Sequence, residues 1–336
     1  MEIIDPQTGE IQVLSNKVLP RRYFSAVWDG QHSIYLLGGI SHIGDSIALE
    51  PTVEIFDTIT HKITFATPVA RHNSSAVYLD GQIYLFGGSD YSVANGFELI
   101  PSTLATRYDL TSQTWLPVAD MLTAKATRVF AKDGMIYALG GARFMAPMTV
   151  FEQYNPRQNS WQKLPYLPLP ISAHSLVVYG QKLRGFGSDD VPDLTYSYDF
   201  ELATWQKTDI GYLPSSQNTA TLLGNTIYVI GGTGGKGRAF VNSIQPFPQK
   251  WTLRVTVIDG SILIPNLRYQ FARLGLLSHE NGELALLDCV YRDRLAENTF
   301  YPSPLKPQHC WLISLPLSVT DVAAQVDVAE LNWPIG

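Results

Sequence analysis

The most regular feature of the hydrophobic pattern is a short apolar run that ends in two glycines. Four copies, each reading Ile-Tyr, two apolar residues and Gly-Gly, begin at Ile34, Ile83, Ile136 and Ile227. A degraded copy begins at Leu183, and a sixth apolar run without the glycines begins at Leu284. Such runs, ended by glycine, predict buried β-strands. Their spacing of roughly 45–55 residues predicts a repeat architecture.

The residues around each run predict three further strands. A preceding apolar run is joined to it by a turn such as Asp80-Gly81 or Asp133-Gly134, and Asp-Gly is a strong hairpin signal. Downstream, an aromatic residue is followed directly by an acidic or amide residue, and an apolar or Trp residue lies six positions after the latter. The four cases are Phe56-Asp57 with Ile63, Tyr108-Asp109 with Trp115, Tyr154-Asn155 with Trp161, and Tyr198-Asp199 with Trp205. One unit therefore has four antiparallel strands, which we name a, b, c and d.

The glycine pair, the aromatic–acidic pair and the Trp six residues later resemble the Kelch repeat. The resemblance is clear between residues 21 and 165, weaker from 171 to 258 and faint from 268 onward. It implies an all-β, Kelch-type β-propeller in a single domain over residues 1–336, because radially packed four-stranded sheets bury one another's faces. The b-strand Tyr and the d-strand Trp are expected to pack between blades. The expected repeats lie near 21–68, 71–119, 124–166, 171–209, 215–258 and 268–336.

The number of blades follows from how the ring closes. Six a–b hairpins are predicted, and residues 1–14 repeat the c–d pattern without an a–b hairpin before it. We therefore expect six blades, with residues 1–14 completing the last one and removing a free sheet edge. The run from Cys310 to Leu315 also fits a strand. This run can be strand c of the last blade, in which case the N-terminus supplies only strand d. Alternatively, it belongs to a seventh blade.

Composition and charge narrow the classes of partner. The net charge is −6 and no dense Lys/Arg cluster occurs, which argues against nucleic-acid binding. No apolar run reaches the length of a membrane span. The segment Met1–Asp5 lacks the features of a signal peptide, so we expect a cytoplasmic monomer, the alternative being a secreted or periplasmic mature form whose leader was removed. The two cysteines, Cys289 and Cys310, are expected to be reduced, with a cross-strand disulfide as the alternative.

The candidate site is the face that carries the b–c and d–a loops. The b–c loops are long and varied: 40–51, 89–103, 142–149, 188–195, 233–241 and 290–309. Polar residues near the channel mouth form the predicted ligand-binding set: Arg21, Arg22, Tyr23, Arg71, His72, Asn73, His174, Asn218, Arg268, Tyr269 and Arg292. Arg21 and Arg71 have two readings, as carboxylate-binding groups or as salt bridges to neighbouring blades.

The sequence favours a binding module over an enzyme. It contains no nucleophile elbow, P-loop or dinucleotide fingerprint, and no cofactor or metal is expected. We therefore expect the loop face to bind a peptide, a protein or a small anionic ligand. The alternative is a small-molecule enzyme at the channel mouth, of the sugar mutarotase or isomerase type or one that steers a reactive intermediate, because such catalysis needs only a few placed groups.

Overall fold

The computed structural model describes most of the chain. It covers residues 1–248 apart from 6–7, 16, 44–45, 93–97, 209, 211, 235–239 and 242, and beyond residue 248 it describes the backbone of six strands. The first element is an antiparallel hairpin of β1 (Glu2–Ile4) and β2 (Ile11–Val13). The predicted pair of strands within residues 1–14 is therefore present.

Five antiparallel sheets follow, each in the strand order a–b–c–d or a–b–c. Blade 1 contains β3 (Ser25–Trp28), β4 (Ser33–Leu37), the b–c hairpin β5 (Ile40–Ile43) and β6 (Ser46–Leu49), then β7 (Val53–Asp57) and β8 (Ile63–Ala66). Blade 2 contains β9 (Ser75–Leu79), β10 (Gln82–Phe86), the b–c hairpin β11 (Ser89–Ser92) and β12 (Glu98–Pro101), then β13 (Ala105–Asp109) and β14 (Thr114–Pro117). Blade 3 contains β15 (Ala126–Lys132), β16 (Met135–Arg143), the short β17 (Ala146–Pro147), β18 (Phe151–Asn155) and β19 (Ser160–Lys163).

Two more blades complete the part with described side chains. Blade 4 contains β20 (Ser175–Tyr179), β21 (Lys182–Phe186), β22 (Thr195–Asp199) and β23 (Thr204–Thr208). Blade 5 contains three strands, β24 (Thr219–Leu223), β25 (Thr226–Ile230) and β26 (Ile244–Pro248).

The C-terminal strands form two further sheets. One contains β27 (Lys250–Ile258), which pairs with β28 (Ser261–Leu263) and with β32 (Asp321–Asp327); the other contains β29 (Arg273–Leu277), β30 (Glu283–Val290) and β31 (His309–Pro316). The run from Cys310 to Leu315 lies in β31, the third strand of its sheet. The register places Cys289 directly opposite Cys310, and whether the two thiols are linked stays a prediction.

The first strand of each blade lies at the centre of the assembly. Strands β3, β9, β15, β20 and β24 neighbour one another in that order. Backbone hydrogen bonds join the segments that precede these strands in successive blades, from Asn73 N–H to the Tyr23 carbonyl (2.9 Å) and from Gln217 N–H to the Ala173 carbonyl (2.6 Å). The a strands therefore line a common axis, and the fold is an all-β propeller, as the repeats predict.

Aromatic side chains fill the space between neighbouring blades. The ring of the b-strand Tyr35 of blade 1 lies 6.4 Å from that of Tyr108 of blade 2, and the ring of the b-strand Tyr84 of blade 2 lies 6.1 Å from that of Tyr154 of blade 3. Each d-strand indole donates a hydrogen bond to a carbonyl of the preceding blade's d–a segment: Trp115 to Thr67 (2.9 Å), Trp161 to Ala119 (2.8 Å) and Trp205 to Pro165 (3.2 Å). The expected packing of Tyr and Trp between blades is confirmed.

The glycine pair allows two backbones to approach each other. Gly38 and Gly39 both have positive φ, at 64° and 92°, where a side chain is disfavoured. The N–H of Gly39 donates to the Arg71 carbonyl at 2.6 Å, and a Cβ on Gly38 would collide with that carbonyl oxygen. The first glycine of the pair therefore allows the next blade's d–a segment to approach, and the second glycine packs against the d–a segment of its own blade.

Candidate binding site at the loop face

The b–c and d–a connections lie side by side on one face, which we call the loop face. Antiparallel bridges join four of the five described d–a segments to a b–c segment: Arg22 to Ile40, His72 to Ser89, Met148 to Ile171 and Ser216 to Thr233. Side chains from both kinds of loop can therefore contact one ligand.

Arg21 is committed to the interior of blade 1. Its guanidinium lies 2.6 Å from Glu54 Oε2, and the two side chains are only 2% and 3% exposed. It also donates to the Thr52 carbonyl at 2.7 Å, while Glu54 accepts from the Leu19 N–H at 3.0 Å. Arg21 therefore forms a salt bridge within its own blade and ties the d–a segment to strand c.

Blade 3 contains an equivalent buried ion pair formed by different residues. The Lys125 Nζ lies 3.2 Å from Glu152 Oε2, both side chains are fully buried, and the Thr123 hydroxyl donates to Glu152 at 2.6 Å. Glu54 and Glu152 occupy equivalent c-strand positions, opposite Leu36 and Ala138 of strand b. Burial lowers the pKa of Lys125, and the charge of Glu152 opposes that change.

Arg71 lacks this close partner. The equivalent c-strand residue of blade 2 is Thr106, so the Arg71 guanidinium turns instead to the Ser102 hydroxyl at 3.0 Å. Asp90, on the exposed b–c hairpin, lies 3.9 Å away, a distance at which solvent screens most of the attraction. Burial lowers the pKa of Arg71, and the nearby Asp90 acts in the opposite direction. Of these three d–a cations, Arg71 is the one oriented toward the loop face.

Arg22, Tyr23 and His72 form a stack between blades 1 and 2. The Arg22 Cζ lies 5.6 Å from the centre of the Tyr23 ring, and the His72 ring lies 5.0 Å from that ring. Tyr23 and Asn73 have positive φ, at 57° and 52°, and Tyr23 is exposed. Burial and the charge of Arg22 lower the pKa of His72, so the imidazole is neutral at pH 7.

His174 and Asn218 lie inside the protein. His174 is fully buried, and burial followed by the charges of Arg128 and Lys125 lowers its pKa to about 3. The Asn218 amide donates to the Ser215 carbonyl at 3.0 Å and to the Tyr212 hydroxyl, so it braces a d–a segment. Arg268, Tyr269 and Arg292 lie outside the described residues, and their role stays a prediction.

Three residues with functional character were absent from the predicted set. Phe144 and Met145 form the tip of the b–c hairpin of blade 3 and are 62% and 85% exposed. Arg128 lies on strand a of the same blade, at a position where the other blades carry Ser or Thr. The signal for Arg128 was already present in the repeat alignment, whereas the exposure of Phe144 and Met145 depends on the two-residue turn.

Comparisons with known proteins agree with the repeats and the blades. The Kelch motif family matches residues 70–122 and 127–168. Similar proteins include Kelch-like protein 25 of Xenopus tropicalis (26% identical over 271 residues, 77% of this chain and 45% of that protein). Others are Kelch-like protein 36 of Bos taurus (27%, 71% and 41%) and Kelch-like protein 23 of Mus musculus (27%, 66% and 39%).

The chain spans less than half the length of each of these relatives. Within the part of the chain that the structure describes, no α-helix has the length and apolar character needed to cross a membrane. From its repeats, its blades and these similarities together, the chain contains Kelch motifs at residues 70–122 and 127–168 and is a distant homologue of the Kelch-like proteins.

Proposed function

We propose that the chain is a binding module that holds a protein partner on its loop face. The observation that carries this proposal is the exposed apolar tip of the blade 3 hairpin, Phe144-Met145. Phe240, on the b–c connection of blade 5, is also 89% exposed. Exposed aromatic residues and methionine are typical anchors of protein interfaces, and a rigid scaffold that presents loops suits recognition.

The backbone of this tip strengthens the argument. Phe144 and Met145 have φ of 48° and 64°, the left-handed region that favours Asn and Gly in two-residue hairpins. Each left-handed residue with a large side chain costs about 1–2 kcal/mol. Strained backbone of this kind is concentrated at functional sites, and an Asn-Gly turn would have avoided it. The retained Phe and Met therefore support a contact role for the tip.

A catalytic site at the mouth has less support. Such a site would bring an acidic group and an arginine or histidine within hydrogen-bond distance of each other. Among the described residues of the loop face, Arg71 and Asp90 come nearest to this arrangement, and their charged atoms are 3.9 Å apart, beyond hydrogen-bond distance. Exposed apolar anchors without such a pair favour binding.

Replacing the tip with Asn-Gly separates binding from folding. The Phe144→Asn/Met145→Gly variant is expected to keep or raise the melting temperature, because Asn-Gly adopts this turn without strain. It is also expected to bind a purified partner at least about tenfold more weakly, because it removes two apolar anchors. The partner is first identified by comparing proteins crosslinked to the wild type and to the variant, and the dissociation constants are then measured by titration calorimetry.

The control for this experiment is an exposed apolar residue on the opposite face. Leu202 lies at the c–d turn of blade 4 and is well exposed, so Leu202→Asn is expected to leave the affinity unchanged. Equal capture of the partner by the wild type and the Asn-Gly variant would contradict the proposal. Equal losses in the Asn-Gly and Leu202 variants would also contradict it.

We infer that the ring closes with six blades, the N-terminal hairpin joining the sheet of β29, β30 and β31. Ile11 and Val13 of β2 are exposed apolar residues, and so is Trp28 on strand a of blade 1. A short hairpin with an apolar face is stable only when it packs against other structure, so these residues support a packed position next to blade 1.

The closure can be tested by placing charges on β2. The Ile11→Asp/Val13→Asp variant is expected to melt several degrees below the wild type, because charges are costly in a packed sheet. Ile59→Asp is the control, since Ile59 is 72% exposed at a c–d turn and should leave the melting temperature unchanged. If the β2 variant melts with the wild type, the N-terminal hairpin does not close the ring.

A further inference from the structure

Arg128 interrupts a ring of small hydroxyl residues. In each described blade, one a-strand residue pairs with the last b-strand residue before the first glycine. These a-strand residues are Ser25, Ser75, Arg128, Ser175 and Thr219. Because the a strands line the axis, this set forms one level of the channel wall. Four blades hold a short polar side chain there, and blade 3 holds a long cation.

Neighbouring side chains at this level show where Arg128 is directed. The Ser25 hydroxyl donates to the Ser74 carbonyl of blade 2 at 2.7 Å, and the Ser75 hydroxyl accepts from the Val129 N–H of blade 3 at 3.0 Å. Each of these side chains reaches the following blade. The same register directs Arg128 toward blade 4, and its charge contributes to the low pKa of His174 on that side.

Arg128 lies in a confined space that still contains solvent. It is so closely surrounded by protein that burial lowers its pKa, yet its side chain keeps intermediate exposure. A guanidinium that lines the central channel would be closely surrounded by protein and would still be reached by solvent.

The groups around Arg128 have unused hydrogen-bonding capacity. The one described hydrogen bond of its side chain is from Nη1 to the adjacent Thr127 carbonyl at 3.3 Å, and among the described residues no carboxylate lies within ion-pair distance. The Ser175 hydroxyl is buried without a partner. Neither nitrogen of His174 has a partner with hydrogen-bond geometry, although the Leu139 carbonyl lies near enough to favour a ring proton. Glu152, the acid of this region, is already paired with Lys125.

We propose that Arg128, with the Ser175 hydroxyl at the equivalent position of blade 4, forms a carboxylate-binding site in the channel between blades 3 and 4. A guanidinium donates two parallel hydrogen bonds to a carboxylate, and the Ser175 hydroxyl is a further donor. An unpaired cation in a confined site is costly, and a bound carboxylate would compensate it. The carboxylate belongs either to a small organic acid or to an acidic side chain that enters from the loop face. The site does not depend on the apolar tip of blade 3.

The test replaces Arg128 with the residue type that other blades carry at the equivalent position. Arg128→Ser places at this position the residue found in blades 1, 2 and 4. Wild type and variant are titrated by calorimetry at constant ionic strength with malonate, with a capped tripeptide containing one glutamate, with its glutamine counterpart and with inorganic phosphate. Arg157→Ser is the matched control, because Arg157 is an exposed arginine at a c–d turn.

Specific outcomes support or overturn the site. We expect malonate or the glutamate peptide to bind the wild type and the Arg157 variant equally, and to bind Arg128→Ser at least about tenfold more weakly. Malonate alone would identify a small acid, and the glutamate peptide alone would identify an acidic side chain. Binding of neither carboxylate, preference for phosphate, or equal affinity in Arg128→Ser would overturn the proposal.

Thermal stability provides a second measurement. If Arg128 is held ready for a ligand, Arg128→Ser should melt at or above the temperature of the ligand-free wild type, because the change removes an uncompensated charge. The carboxylate that binds should raise the melting temperature of the wild type and not that of the variant. A lower melting temperature for the ligand-free variant would instead show that Arg128 stabilises the fold, and the proposal would fail.

Discussion

Replacing Glu152 with alanine is expected to lower the free energy of unfolding by about 3–5 kcal/mol. Both members of the Lys125–Glu152 pair are fully buried, so removing the carboxylate leaves an ammonium group inside the protein without its counter-charge. The Thr123 hydroxyl also loses its acceptor. Urea unfolding followed by tryptophan fluorescence measures the loss, because Trp161 of the same blade contacts the adjacent core.

Two controls show whether the unpaired charge is the cause. The Lys125→Met/Glu152→Leu variant removes both charges and should recover most of the lost stability, since apolar replacement of a buried pair is often neutral. Glu201→Ala removes an exposed carboxylate at a c–d turn and should change stability by less than about 0.5 kcal/mol. A loss in the double variant as large as in Glu152→Ala would mean that packing, and not the pair, explains the effect.

The parts of the fold that the sequence predicts are those where a residue type has one structural use. Gly38 and its repeats are needed because a Cβ would collide with a carbonyl of the next blade. The d-strand Trp residues recur because each indole binds a carbonyl of the preceding blade. Residues with one geometric role recur at fixed spacing, and fixed spacing is visible in a sequence.

The degraded fourth repeat shows what spacing alone cannot explain. Gly185 replaces an apolar b-strand residue, and a Cβ there would overlap the ring of Tyr196 on strand c. Tyr196 occupies the c-strand position that holds Glu54 in blade 1 and Glu152 in blade 3. Blade 4 therefore replaces the buried ion pair with an aromatic ring, and the small residue at 185 accommodates it. That exchange depends on contacts across two strands.

The candidate site was harder to predict for the same reason. The sequence left Arg21 with two roles because its partner, Glu54, lies 33 residues away, across a b–c loop of variable length. His174 and Asn218 are polar residues in d–a segments, yet both point into the interior. Phe144 and Met145 read as ordinary apolar residues until the turn places them at a tip. A ligand-binding set chosen by polar character therefore contains both buried structural residues and exposed residues.

Acidification from pH 7 to pH 5 is expected to reduce stability by about 2 kcal/mol through His174 alone. Its pKa is lowered from 6.5 to about 3 in the folded protein. Below pH 6.5 the unfolded chain therefore binds a proton that the folded protein does not, and proton binding to the unfolded state favours unfolding. The stability is complete above pH 6.5 and is lost progressively as the pH falls toward 3. Urea unfolding in carboxylate-free buffers at several pH values measures this slope.

Substitution of His174 tests the assignment. His174→Met removes the titrating group and should flatten the slope between pH 7 and pH 5 by about 2 kcal/mol over the interval. His72 has a lowered pKa as well, so His72→Gln measures its separate share. The carboxylates with lowered pKa values, such as Asp57 and Asp109, lose their contribution only at lower pH, because the ordinary pKa of an aspartate is 3.8. An unchanged slope in His174→Met would show that the imidazole is protonated in the folded protein, and it could not then lie neutral between Arg128 and Lys125.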